Sequence, residues 1–173
     1  MCPKKKFKNL FNQMYKLCEK EGWGDPFSYA RSKEILAACE LGHDVAKNFS
    51  GPDAIGPNGE EYEYKSSTKK VQGNYSGVSV QGTWEEQEKY LKEVKIAKYP
   101  LHYYNYFDEG KLVESWEVDG DIVHDILLPK FKNKYPTVLS KKDPRLSAQM
   151  TEKEVKTFGR PVILDGVKVK KGK

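Results

Sequence analysis

At Gly42 the apolar spacing of this 173-residue chain changes from threes and fours to twos. That change restricts the chain to folds in which helices come first and a sheet follows. Before it, Phe7, Leu10, Phe11, Met14, Leu17 and Cys18 mark one stripe of a helix over 7–21, which Gly22 and Gly24 end. Asp25 followed by Pro26 predicts a cap and first residue for a second helix reaching about Leu41, with Ala30, Ile35, Leu36, Ala38 and Cys39 as its apolar contacts. After the change, 43–49 and 52–55 read as extended, Pro57-Asn58-Gly59 as a turn, and Glu60–Ser67 as a strand. In that strand Tyr62 and Tyr64 alternate with Glu61, Glu63 and Lys65.

The rest of the chain continues in the same mixed style. Residues 68–82 are rich in Gly and Ser and read as a loop or ribbon. Thr83 and Glu86 form a capping box, and the helix it opens runs to about Lys98 with Trp84, Tyr90, Leu91, Val94 and Ile96 turned inward. Strands are predicted at 101–107 and 111–118, joined by Asp108-Glu109-Gly110, and a short helix at 122–131 in spite of Pro129. Residues 132–160 read as irregular, and 162–169 as a hairpin around Asp165-Gly166. No repeat or linker divides the chain. We expect a single mixed α/β domain with one central sheet. It has a helical part over 1–42, a core over 43–131 and a C-terminal part over 132–173.

Composition narrows the class. Thirty Lys and Arg against 25 Asp and Glu leave a net charge of +5. Together with eleven Tyr and three Trp, that suits a nucleic-acid surface as well as an ordinary core. Cys2, Cys18 and Cys39 are odd in number and lack CxxC spacing, so neither a disulfide framework nor a zinc site is indicated. No apolar run approaches a membrane span, and no apolar stretch follows the N-terminal lysines as in a signal peptide. A cytoplasmic protein with no membrane partner is expected.

Chemistry concentrates in Gly51–Lys65 (GPDAIGPNGEEYEYK). The turn at 57–59 folds Asp53 back toward Glu63. Glu63 and Lys65 lie two apart on a strand, so they share a face with Cα atoms ~6.5–7 Å apart. Two carboxylates and an ammonium converge at one sheet edge, with the backbone carbonyl of Tyr64 between them. Hard cations such as Mg²⁺ take such oxygens as ligands. Lys65 is placed to hold a phosphate oxygen or to orient or help deprotonate an attacking water. Four acids within the eleven residues 53–63 make a local acidic spot in a basic chain, as a metal-dependent nuclease requires. The plainer reading is a solvated strand face paired across a hairpin, with Asp53 as an ordinary turn residue.

The order helix, strand with Pro52-Asp53, turn, strand with Glu63-Tyr64-Lys65 resembles the PD-(D/E)xK nuclease superfamily. Within it, GPDAIGPNGEEYEYKSS is similar to the active-site hairpin of the PvuII-like family of type II restriction endonucleases. Lys33-Glu34-Ile35-Leu36 through Leu41-Gly42, Ile96-Ala97-Lys98-Tyr99 and Asp143-Pro144-Arg145-Leu146 are similar to further patches of that family. The resemblance implies a restriction-endonuclease-like mixed sheet flanked by helices. It implies a homodimer that cuts double-stranded DNA with Mg²⁺, with Mn²⁺ able to substitute and Ca²⁺ supporting binding alone. It implies Asp53 and Glu63 as metal ligands, Lys65 as the catalytic lysine and Tyr99 in a supporting role. The chain departs from the family by lacking its histidine cluster after the ExK strand, where Ser76, Ser79 and Gln81 stand, and by Tyr29 in place of a DNA-contacting aspartate.

Among the remaining polar residues, Lys69 and Lys70 follow the active strand and suit phosphate contacts. Ser79 and Gln81 suit base edges. Lys142 and Arg145 fall in the family's second recognition region. Glu34 reads as helix-surface charge, although some superfamily members place an extra acid there. Phe7, Phe11, Met14, Phe27 and Tyr29 are candidates for a dimer contact. A structure-specific resolvase or repair nuclease shares the same trio, and a non-catalytic DNA-binding protein is the remaining alternative.

Overall fold

A computed structural model describes residues 2–47 and 51–170. The last two residues of the extended run at 43–49, and the last three of the basic tail, lie outside that range. Helix α1 (Pro3–Glu21) and helix α2 (Arg31–Leu41) precede two short strands, β1 (Asp44–Val45) and β2 (Ala54–Ile55). Strands β3 (Glu61–Ser67) and β4 (Gly73–Ser79) follow, then α3 (Trp84–Tyr90) with a π-helical turn at Leu91–Lys95. The chain continues through β5 (Leu101–Asp108), β6 (Lys111–Asp119), α4 (Gly120–Val138), β7 (Arg145–Met150), α5 (Glu152–Phe158), β8 (Arg160–Leu164) and β9 (Val167–Lys168).

The result is a mixed α/β protein with a curled mixed sheet flanked by helices. Seven strands run in the order β1-β2-β3-β5-β6-β8-β9, and β4 pairs with β7 in a separate two-stranded ribbon. Among the described residues only β3 and β5 pair parallel. Parallel neighbours need a crossover, and the 33 residues between Ser67 and Leu101 supply it through β4 and α3.

The alternation read in β3 sorts its two faces. Tyr62 and Tyr64 are buried with Ala37, Ala38, Tyr103 and Phe107 against α2. The opposite face meets a second core of Tyr75, Leu91, Tyr104, Leu127, Phe131 and Leu146, which joins the sheet to α4 and the β4–β7 ribbon.

Three local expectations are corrected and one is narrowed. Of the loop or ribbon read at 68–82, residues 73–79 form one strand of a ribbon, whose partner is β7, some 70 residues later. The helix expected at 122–131 spans Gly120–Val138 and contains both Pro129 and Pro136. Val123, Leu127, Phe131, Tyr135 and Val138 recur every three or four residues and are all buried, so packing outweighs the lost amide bonds. The stretch 132–160 is mostly ordered, and a second capping box, Thr151 with Glu154, opens α5. Helix α2 starts at Arg31 rather than Pro26. Asp25 accepts from the amide of Phe27 at 2.9 Å, and Tyr29 has a left-handed φ of 49°, which ends any helical run there. The box at Thr83 and Glu86 forms as expected, with bonds of 3.0 and 3.2 Å, but Val94 beyond it is exposed.

Candidate active site

Strands β2 and β3 pair antiparallel as Ala54 with Tyr62 and Ile55 with Glu61. One further step of that register sets Asp53 opposite Glu63. Directly opposed residues share a face, and Lys65 shares it with Glu63. The parallel ladder sets His102 beside Glu63 and Tyr104 beside Lys65. The acidic edge therefore sits above the second core, away from the tyrosines packed on α2.

Where β2 gives out, the side chain of Asp53 takes over its pairing. The Tyr64 amide donates to Asp53 Oδ2 at 2.7 Å, and the Asp53 amide donates to the Tyr62 carbonyl at 2.9 Å. In an extended strand a residue's N–H and C=O point to the same edge, so the Tyr64 carbonyl also faces the Asp53 side. Lys65 Nζ donates to Glu63 Oε1 and lies 4.8 Å from the ring centroid of Tyr75. A cleft of about 220 Å³ opens beside them, lined by Glu63, Lys65, Asn74, Tyr75 and Ser76.

Asp53 is the electrostatic centre of this edge. Burial, then the charges of Glu63 and Glu34, push its carboxyl from 3.8 up to about 7, against the pull of the Tyr64 amide and Lys65. Crowded carboxylates of this kind are what a divalent cation relieves. Among the described residues no group of three or more His, Cys, Asp and Glu gathers to hold a metal. The available donors are the carboxylates of Asp53 and Glu63 with the Tyr64 carbonyl, an all-oxygen set that fits a hard cation keeping several waters. Glu34, read from sequence as surface charge, is pinned by Arg31 Nη1 at 3.2 Å and its charge reaches Asp53.

Tyr99 is buried, and burial with the charges of Glu63 and Asp53 pushes its hydroxyl pKa up, so it belongs to the same neighbourhood. Beside it Lys98 pairs with Glu61 at 3.1 Å.

The predicted DNA contacts divide. Ser79 and Arg145 face one another across the ribbon, with Arg145 Nη1 donating to Ser79 Oγ at 3.1 Å. Gln81 is held by its backbone. Its amide donates to the buried Gln87 at 2.9 Å, its carbonyl accepts from Tyr135 at 2.8 Å, and its side chain turns back toward the Ser79 carbonyl. Lys69 and Lys70 lie in the exposed turn after β3, where Lys70 approaches Glu152 at 3.9 Å. Lys142 is exposed in the turn before β7.

Gly73 and Tyr75 belong to no sequence motif, and His102 is one of three scattered histidines without ligand spacing. Tyr75 alternates with exposed Asn74 and Ser76, and that alternation was the available signal.

No protein-family profile matches the chain, and no curated protein matches it.

Proposed function

We propose that this chain is a PD-(D/E)xK endonuclease of the restriction type, which hydrolyses phosphodiester bonds of double-stranded DNA at a specific sequence with Mg²⁺. One observation carries the reading: the β2–β3 register directs Asp53 and Glu63 to one edge, tied there by the Tyr64 amide, with Lys65 at their side.

Asp53, Glu63 and the Tyr64 carbonyl are the groups that would hold the cation. When bound, it supplies Lewis acidity and charge neutralisation at the scissile phosphate. Lys65 reaches the same space and holds a phosphate oxygen or the attacking water in line. The water oxygen bonds to phosphorus, the bond to the 3′ oxygen breaks, and the ends carry 5′-phosphate and 3′-hydroxyl. The ribbon of β4 and β7 borders the cleft through Asn74 and Ser76 and offers Ser79, Arg145 and Gln149 along a polar face suited to base edges.

A duplex has two strands and each chain has one such edge, so the working unit is a homodimer. Helix α1 supports this, since Phe7, Leu10, Phe11, Met14 and Leu17 stand exposed along it. Among the described residues no helix is long and apolar enough to cross a membrane.

Incubation of a sequenced plasmid with protein and Mg²⁺, followed by mapping of the ends, tests the reading. Discrete double-strand cuts at one recurring sequence are expected. Cutting only at branched junctions favours a resolvase of the same superfamily. Intact plasmid at high enzyme excess in Mg²⁺ and Mn²⁺ overturns the nuclease.

A further inference from the structure

We infer that Tyr75 and Gly73 of β4 form the seat that aims Lys65, and so act as positioning residues for the proposed cleavage; the inference rests on the nuclease reading.

Lysine is a flexible four-carbon stem with a point charge at its end, and a catalytic lysine must be held in place. Here three neighbours hold it. Glu63 takes the ammonium from one side. The Tyr75 ring faces it at 4.8 Å, within the range of a cation–π contact. The backbone of Gly73 lies on the stem: a Cβ there would come within 2.7 Å of Lys65 Cγ, 2.8 Å of Lys65 Cβ and 2.6 Å of Tyr104 Cε1. No positive φ demands glycine at 73, so the requirement is steric.

The ring is itself fixed by a directed chain of hydrogen bonds. His102 Nε2 lies 3.0 Å from the Ile96 carbonyl, which can only accept, so Nε2 carries the proton. Nδ1 of the neutral ring then accepts from the Tyr75 hydroxyl at 2.8 Å. The Tyr75 oxygen in turn accepts from Tyr104 at 2.7 Å. His102 is fully buried, which keeps it in the neutral form this direction needs. Glu63 is also a proposed metal ligand, so in the working site the ring is the partner that Lys65 keeps.

The test separates ring from bulk. In single-turnover cleavage with Mg²⁺, Tyr75→Leu should fall roughly 5- to 30-fold, the span of a cation–π contact, and Tyr75→Phe, which keeps the ring but frees it from its hydrogen-bond chain, should fall less. Duplex binding in Ca²⁺ should be unchanged in both. Should the leucine variant not fold, phenylalanines carrying one, two or three ring fluorines at position 75 keep the size. Their log rates should fall stepwise as the ring loses its negative face. Without DNA or metal, the Lys65 ε-methylene resonances should lie upfield in the wild type and return toward the free-lysine position in Tyr75→Leu and Gly73→Ala. Equal rates across the ring series, or unmoved Lys65 resonances, overturn the inference while leaving the nuclease standing. A wild-type protein that cuts no DNA overturns both and is told apart by that result.

Discussion

The Tyr64 amide donates to the carboxylate of Asp53 at 2.7 Å, so a side chain completes the strand pairing that β2 is too short to provide. Asp53 thereby serves the hairpin as well as the proposed metal. Asp53→Asn keeps an oxygen for the Tyr64 amide and removes the charge. It should fold like the wild type and lose Mg²⁺-dependent cleavage by a hundredfold or more, on the order of 3 kcal/mol of lost transition-state stabilisation. Asp53→Ala should lose cleavage and also unfold at lower urea, by about 1 kcal/mol for the missing bond. Plasmid cleavage and urea melts on both variants check the pair. An Asn variant that cuts normally would remove Asp53 from the chemistry.

Lys65 gives a sharper discrimination. Arg keeps the charge but cannot give up a proton and is too broad for a seat roofed by Gly73. Lys65→Arg should therefore fail to restore cleavage, and Lys65→Ala should fail likewise, while both bind the recognised duplex in Ca²⁺. Near wild-type cutting by the Arg variant would reduce Lys65 to a clamp on the phosphate. Normal cutting by the Ala variant would remove it altogether.

What the sequence made legible was local. The β3 strand, its Pro57–Gly59 turn and the box at Thr83 are each written within a few residues, and the first two bring Asp53, Glu63 and Lys65 together. What it hid was long-range. Gly73–Ser79 has few strand-forming side chains and becomes a strand only through Arg145–Met150. Tyr75 and His102 are 27 residues apart, and no spacing rule joins them. The helix read as stopping at Phe131 continues on its buried stripe through Tyr135 to Val138, past Pro136.

For the proposed nuclease, the ribbon shifts the weight of sequence choice from Gln81 toward Asn74 and Arg145. Gln81 is clamped through its backbone, whereas Asn74 is exposed and borders the cleft. Asn74→Ala and Arg145→Ala should each weaken binding to the recognised sequence by ~1–3 kcal/mol, and Gln81→Ala by less. Binding in Ca²⁺ to recognised and scrambled duplexes checks this. Equal losses on both duplexes would make Asn74 or Arg145 a backbone contact.

Helix α1 carries its apolar stripe outward. Phe7 and Leu10 are 70% and 55% exposed, while Cys18 is buried. Between α1, α2 and the β5–β6 turn lies an apolar cleft of about 650 Å³, lined by Met14, Leu17, Trp23, Leu36 and Phe107. Sedimentation should give a dimer of the 19.9 kDa chain, and the double variant Phe7→Asp, Leu10→Asp should give a folded monomer. Substituting exposed side chains costs the single chain little stability. A wild type that sediments as a monomer at tens of micromolar rejects the dimer.

Two groups, half-buried Asp53 and buried His102, set opposite pH dependences on stability. Asp53 is pushed up from 3.8 to about 7, chiefly by burial and the charge of Glu63. His102 is pushed down from 6.5 to about 4 by burial. Stability rises with pH wherever the unfolded chain holds more protons than the folded one. Between about pH 4 and 7 the unfolded chain has released the Asp53 proton and the folded protein retains it, so this group lowers stability as pH rises. Between about pH 4 and 6.5 the unfolded chain protonates His102 and the folded protein does not, so this group raises stability as pH rises. In metal-free protein the two oppose each other over pH 4.5–6.5. Asp53→Asn removes the first and leaves the second. Relative to wild type, the variant should therefore gain stability steadily from pH 4.5 to 6.5. Urea melts in EDTA at pH 4.5, 5.5 and 6.5 measure the difference. A gap that stays constant across that range would mean that Asp53 titrates as an ordinary exposed carboxylate, and the crowded acidic edge would lose its basis.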